Sequence, residues 1–182
     1  MKYKRPLIIA FAAIVVIGGG YLALHKPQST TLSTSSQLTN GTTAIVNKPA
    51  PDFTVQTIDG QQFSLAAHKG KPVIVFAMFG GCGECIPVGQ TLNQVQKDFA
   101  SQGVTVVAMD ILKDEPTSVL EQYRSDAKTS FQLVSYNEKV VNAYKLTAPE
   151  ITYVIDKNGN VAYVNQNALS YDQYRQQVEQ AL

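Results

Sequence analysis

The chain has 182 residues, 45% of them hydrophobic and 16% charged, with a formal net charge of +1. That length accommodates one domain with its own core plus a short appendage. From Pro27 onward 11 Lys and Arg stand against 14 Asp and Glu, scattered singly. A slightly acidic body without a basic stripe gives no support for nucleic-acid binding.

Pro6 to Leu24 contains no charged residue. At about 1.5 Å per helical residue the stretch reaches ~28 Å, close to the hydrocarbon thickness of a bilayer. Lys2, Lys4 and Arg5 precede it and Lys26 follows, so the positive-inside rule keeps the N-terminus cytoplasmic and sends the rest across. A cleaved signal peptide is the alternative. Its core is shorter, Ala23-Leu24-His25 fits a small-x-small site poorly, and no Cys follows to accept a lipid. Gly18-Gly19-Gly20 reads as a kink or helix contact within the span. Pro27 to Asn47 is uncharged and mostly Ser, Thr, Gln and Asn, too polar to offset its ordering entropy, and reads as a flexible tether. Its Asn40-Gly41-Thr42 sequon is a pattern common by chance. The expected division is a cytoplasmic tip and transmembrane signal anchor over 1–26, a tether over 27–47 and a folded domain over 48–182. That domain is expected on the extracytoplasmic side of the cell membrane.

Within the domain, Phe53 to Thr57 and Gln62 to Leu65 read as strands of a hairpin turned at Asp59-Gly60. Val73 to Phe79 is a near-continuous apolar run that suits a central strand buried on both faces. Cys82 to about Ser101 reads as a helix, with Val88, Leu92, Val95 and Phe99 along one face. Val104 to Met109 is the next buried strand, and Pro116-Thr117 opens a helix running to about Ala127. A short extended piece at Phe131 to Val134 and a short helix at Glu138 to Tyr144 follow. Ile151 to Asp156 and Val161 to Val164 are strands joined through Lys157-Asn158-Gly159-Asn160, a hairpin signal. Asp172 to Leu182 closes the chain as an amphipathic helix. This order predicts an α/β fold, a mixed central sheet flanked by helices with an added N-terminal β-hairpin.

The two cysteines, Cys82-Gly83-Glu84-Cys85, fall where a buried strand meets a helix N-terminus. Unpaired N–H groups and the positive end of a helix dipole lower a thiol's pKa, and the thiolate is the nucleophile. Cys82 at the exposed start is expected to attack, and Cys85, one turn in, to resolve the mixed disulfide. A purely structural disulfide across so short a loop constrains the unfolded chain little. A structural zinc site needs four ligands, and the only His residues, His25 and His68, are far away. No metal is expected, and no cofactor beyond the Cys82–Cys85 disulfide.

Ala50-Pro51-Asp52-Phe53, Gly70-Lys71-Pro72-Val73, the Cys pair and Tyr153-Val154-Ile155-Asp156 together resemble the redoxin branch of the thioredoxin superfamily. The likeness is greatest to membrane-anchored thiol–disulfide oxidoreductases of the cytochrome c maturation type. The resemblance implies a thioredoxin fold, attack by Cys82, resolution by Cys85, and a substrate-binding cis-proline, a role that falls on Pro149 with Ala148 before it. Four positions depart from the family. Gly81 replaces the usual Trp, Gly83-Glu84 stands where a Pro-containing pair is common, and Pro87 comes early enough to distort the first turns of the helix. Pro149 lies seven residues before Asp156 rather than six, with Glu150 in the expected place. Either a one-residue bulge restores Pro149 or the substrate loop differs; an ordinary trans proline entering a strand is the plain alternative.

Gly83 and Glu84 are candidate redox-tuning residues. A carboxylate beside the thiol disfavours a thiolate, although an acidic residue in a helix's first turn is also simply stabilising. Asp110 is either a proton relay or the cap of the following turn. A peroxiredoxin would carry Thr or Ser three residues before Cys82 and Pro seven before, where Phe79 and Val75 stand. Copper delivery on the same fold would use Cys-x-x-x-Cys and a late His; two thiols alone still suit Cu(I), which keeps that alternative open. The expected function is exchange of the Cys82/Cys85 dithiol with exported Cys-containing proteins, as a reductant. A membrane thiol partner is expected to supply electrons, because one membrane helix without cofactor ligands cannot carry them across.

Overall fold

The computed structural model describes residues 45–182. The expected anchor over 1–26 and the tether up to residue 44 lie outside the described residues. Packed chain extends back to Ile45, ahead of the expected boundary at Lys48. Ile45 and Val46 pack against the core, the Asn47 N–H donates to Val161 O (2.8 Å), and Pro49 bridges to Asn160.

A two-stranded antiparallel hairpin, β1 (Thr54–Gln56) and β2 (Gln62–Ser64), precedes the main sheet. Then follow β3 (Val73–Met78), α1 (Cys85–Asp98), β4 (Thr105–Asp110), α2 (Thr117–Ala127), β5 (Gln132–Val134) and α3 (Glu138–Ala143). The chain closes with β6 (Thr152–Ile155), β7 (Val161–Asn165) and α4 (Tyr171–Ala181). The 5-stranded sheet runs β5-β4-β3-β6-β7. β3, β4 and β5 pair in parallel, whereas β6 and β7 are antiparallel, so the sheet is mixed as expected.

All six residues of the central strand β3 are buried. Alternation sends Ile74, Phe76 and Met78 to the face covered by α1, α2 and α4, and Val73, Val75 and Ala77 to the other. Burying each large apolar side chain contributes about 1.5–3 kcal/mol. On the second face an aromatic group of Phe53, Phe63, Tyr144 and Tyr153 joins the N-terminal hairpin to the sheet, with ring centroids 5.0–5.7 Å apart. The Tyr144 hydroxyl donates to Pro51 O (2.7 Å) and that of Tyr153 to Tyr144 O (2.5 Å), so neither buried phenol is left unpaired. Ser170 and Gln173 form a capping box at the start of α4.

Two expectations are corrected. Helix α1 begins at Cys85, not Cys82: the Cys82 N–H donates to Phe79 O and the Cys85 N–H to Cys82 O, turns that precede the helix. Pro87 therefore occupies the third helical position. Its missing N–H would have had no partner within the helix, so it does not distort the first turns.

Just before β6 the pairing with β3 is irregular. The Ala77 N–H donates to Ile151 O (2.8 Å), while Ala77 O accepts from the Glu150 N–H (2.8 Å), so two residues oppose one. Glu150 has φ 68°. These are the marks of a β-bulge whose first residue is left-handed and usually glycine. The extra residue accounts for the seven-residue spacing between Pro149 and Asp156. Left-handed backbone at a residue with a Cβ costs of order 1–3 kcal/mol. Glu150→Gly is expected to raise the unfolding free energy in urea by about 1 kcal/mol. Glu150→Pro, which cannot reach this φ and loses the N–H to Ala77, lowers it by ~3 kcal/mol or more. A destabilised glycine variant contradicts the bulge.

Candidate active site

β3 carries the chain to Phe79, and a turn through Gly80 and Gly81 brings it to Cys82 with its N–H on Phe79 O (3.0 Å). Cys82 and Cys85 form a disulfide. The Cys85 N–H, first in α1, donates to Cys82 Sγ at 3.1 Å. Sulfur thus sits at the positive end of the helix, where negative charge on it is stabilised. Cys82 keeps 6% of its surface exposed and Cys85 none, so solvent reaches the first cysteine alone. Gly83 and Glu84 between them are exposed. Glu84 is the N-cap of α1, with helical φ and ψ and no capping hydrogen bond from its side chain. Its carboxylate therefore faces solvent beside the pair rather than bonding the helix.

Helix α2 and the loop before it back this segment. Glu115 Oε2 accepts from the Gly80 N–H at 2.6 Å, a charge-assisted bond. A Cβ on Gly80 would lie 2.6 Å from Val119 Cγ1 and 2.8 Å from Val119 O, so only glycine fits against α2 there. The Tyr123 hydroxyl donates to Cys85 O at 3.0 Å, inside the core. A Cβ on Gly89 would stand 2.2 Å from that hydroxyl, so the glycine in α1 admits the phenol. Burial pushes the Tyr123 hydroxyl up, and it remains a donor.

Asp110 ends β4 opposite Met78. Strand alternation from Val106 and Ala108 sets it on the face that holds both cysteines. Its Oδ1 accepts from the Leu112 N–H (2.8 Å), which realises the turn-capping alternative. Its Oδ2 is buried without a hydrogen bond. Burial pushes the carboxyl up to about 6; the Leu112 N–H opposes the rise and the Glu115 charge adds to it. Ala148 is exposed and Pro149 half-buried, one residue before the bulge that meets β3 at Ala77. Among the described residues no group of three or more His, Cys, Asp or Glu is placed to hold a metal ion. A groove of about 800 Å³ opens beside Glu115, walled by Phe53, Tyr136 and Tyr144. Glu115 and Tyr123 do not stand out in the sequence. The first sits in a charged loop and the second on the apolar stripe of α2 with Leu120 and Ala127, so neither carries a local signal.

A disulfide joining a strand end to a helix N-terminus, on this mixed sheet, defines a thiol–disulfide oxidoreductase of thioredoxin-like fold. The chain belongs to the AhpC/TSA family, which it matches over residues 46–164. It is 26% identical over 142 residues to the thiol-disulfide oxidoreductase ResA of Geobacillus thermodenitrificans, covering 78% of this chain and 80% of that protein. It is also 26% identical over 134 residues to the thioredoxin-like protein YneN of Bacillus subtilis, covering 71% and 76%. A solved thiol:disulfide interchange protein of the thioredoxin family from Chlorobium tepidum superposes with a TM-score of 0.65. That pair is 28% identical, and the superposition covers 73% of this chain and 94% of the other.

Asp110 makes stability depend on pH. Its folded carboxyl is raised from 3.8 to about 6, so the folded state binds the extra proton between those values. The stabilisation is complete below the lower value and is lost as pH rises through the upper one. Asp110→Asn is expected to gain about 2 kcal/mol relative to the parent between pH 4 and pH 7, read from urea unfolding at both. A pH-independent difference contradicts a raised carboxyl.

Proposed function

We propose that the chain is a membrane-tethered, extracytoplasmic reductant of disulfides in exported proteins, working through Cys82 and Cys85. The observation that carries the exchange through these two cysteines is the Cys85 N–H on Cys82 Sγ at a helix N-terminus, with solvent reaching Cys82 alone. In the dithiol form, the Cys82 thiolate attacks one sulfur of a substrate disulfide. The substrate S–S bond breaks, a Cys82–substrate disulfide forms, and one substrate sulfur leaves as thiolate. Cys85, deprotonated in turn, attacks Cys82 Sγ, closes the intramolecular disulfide and releases the second substrate thiolate. Two electrons pass to the substrate, and the protons lost by the two cysteines appear on its thiols.

A membrane dithiol protein resets the pair by the same exchange in reverse. Ala148 and Pro149 receive the substrate strand, and the Glu84 carboxylate opposes thiolate formation nearby and so favours a reducing couple. Tethering rests on the uncharged Pro6–Leu24 stretch behind Lys2, Lys4 and Arg5. The exported substrates follow from that orientation and from an oxidising compartment in which disulfides persist.

The test is the reduction potential of the full chain against dithiothreitol and glutathione buffers. A value near or below about −230 mV is expected for a reductant. A value above about −180 mV makes the protein an oxidant or isomerase, and the absence of any reversible Cys82–Cys85 disulfide overturns the exchange itself.

A further inference from the structure

Both ends of the redox loop are held by one stripe of a single helix and its approach. Glu115, Val119 and Tyr123 are four residues apart along α2 and the residue before its N-cap Pro116. Glu115 bonds the Gly80 N–H ahead of Cys82, Val119 presses its backbone on Gly80, and Tyr123 bonds the carbonyl of Cys85. Two glycines make the contacts sterically possible, Gly80 toward Val119 and Gly89 toward Tyr123. The loop between these anchors is the segment that must accommodate two separate thiols after reduction.

We propose that α2 acts as a clamp on the redox loop, with Glu115 and Tyr123 as positioning residues that hold the couple toward its disulfide form. Reduction replaces one S–S bond by two sulfur atoms no longer bonded to each other, which need more room and repel when ionised. A loop pinned at Gly80 and at Cys85 has little freedom to provide that room. The Glu115 carboxylate, bonded two residues before Cys82, further opposes a thiolate there. Both effects favour the disulfide, so the dithiol gives up its electrons more readily. Release of either anchor lets the dithiol relax and shifts the equilibrium toward it. This rests on the dithiol–disulfide cycling of Cys82 and Cys85 proposed above.

The experiment compares the full chain with Glu115→Gln, Tyr123→Phe and Arg124→Ala in glutathione redox buffers, reading the oxidised fraction by alkylation and mass. Arg124 lies on the same helix but bonds Asp59, away from the loop, at 2.7 and 2.8 Å. Its variant weakens the anchoring of α2 without touching the clamp. Glu115→Gln keeps an oxygen acceptor and Tyr123→Phe keeps the ring, so each leaves the local packing in place. Glu115→Gln and Tyr123→Phe are each expected to move the equilibrium toward the dithiol by at least about threefold, or ~14 mV, with Arg124→Ala unchanged. Loop variants that titrate like the parent overturn the clamp, as does an equal shift in Arg124→Ala. If the parent itself does not cycle, the exchange reading fails instead, and the two failures are told apart in one titration.

Discussion

The 3.1 Å hydrogen bond from the Cys85 N–H to Cys82 Sγ is the contact on which the site's chemistry depends. It exists because α1 starts at the second cysteine, which leaves the first outside the helix and in front of its free N–H groups. The start is set by local turns, Cys82 N–H to Phe79 O and Cys85 N–H to Cys82 O, and Pro87 follows where a proline is tolerated.

Those turns are held from outside. β3 lies buried between β4 and β6 and delivers the chain to a fixed point, while α2 meets the loop at Gly80 and Cys85. Asn93 ties α1 to the segment after α2, accepting from the Ser130 N–H (2.9 Å) and hydroxyl (3.0 Å) and donating to Lys128 O (3.2 Å). The helix that carries Cys85 and the helix that supports it are thus joined at Cys85 and again at Asn93. The acidic groups nearby differ in setting: Glu84 is exposed, Glu115 is bonded to backbone, and Asp110 is fully buried.

Much of this was legible in the sequence because it rests on short-range patterns. The apolar runs of β3 and β4, the turn residues at Asp59-Gly60 and Asn158-Gly159, and the three-residue spacing of the cysteines with their Gly-Glu insert predicted the order of elements and the redox pair. Apolar periodicity puts the helix start three residues early, since it marks a helix face and not its first turn. Pro87 consequently read as a distortion. Glu115 and Tyr123 were invisible for a different reason. Their partners Gly80 and Cys85 lie 35 and 38 residues away, and contacts of that range follow from sheet order and helix packing rather than from neighbouring residue types. The spacing of Pro149 did hint at an extra residue, and the left-handed Glu150 supplies it. The proposed N-terminal anchor falls outside the described residues and is argued from hydropathy and charge.

The most direct measurement is the pH dependence of iodoacetamide alkylation in the reduced full chain, with the modified cysteine assigned by mass spectrometry. Modification at Cys82 alone, with an apparent pKa below the free-thiol value of about 8.5, is the result the account predicts. Equal or faster modification of Cys85, or a Cys82 that titrates like a free thiol, would contradict it.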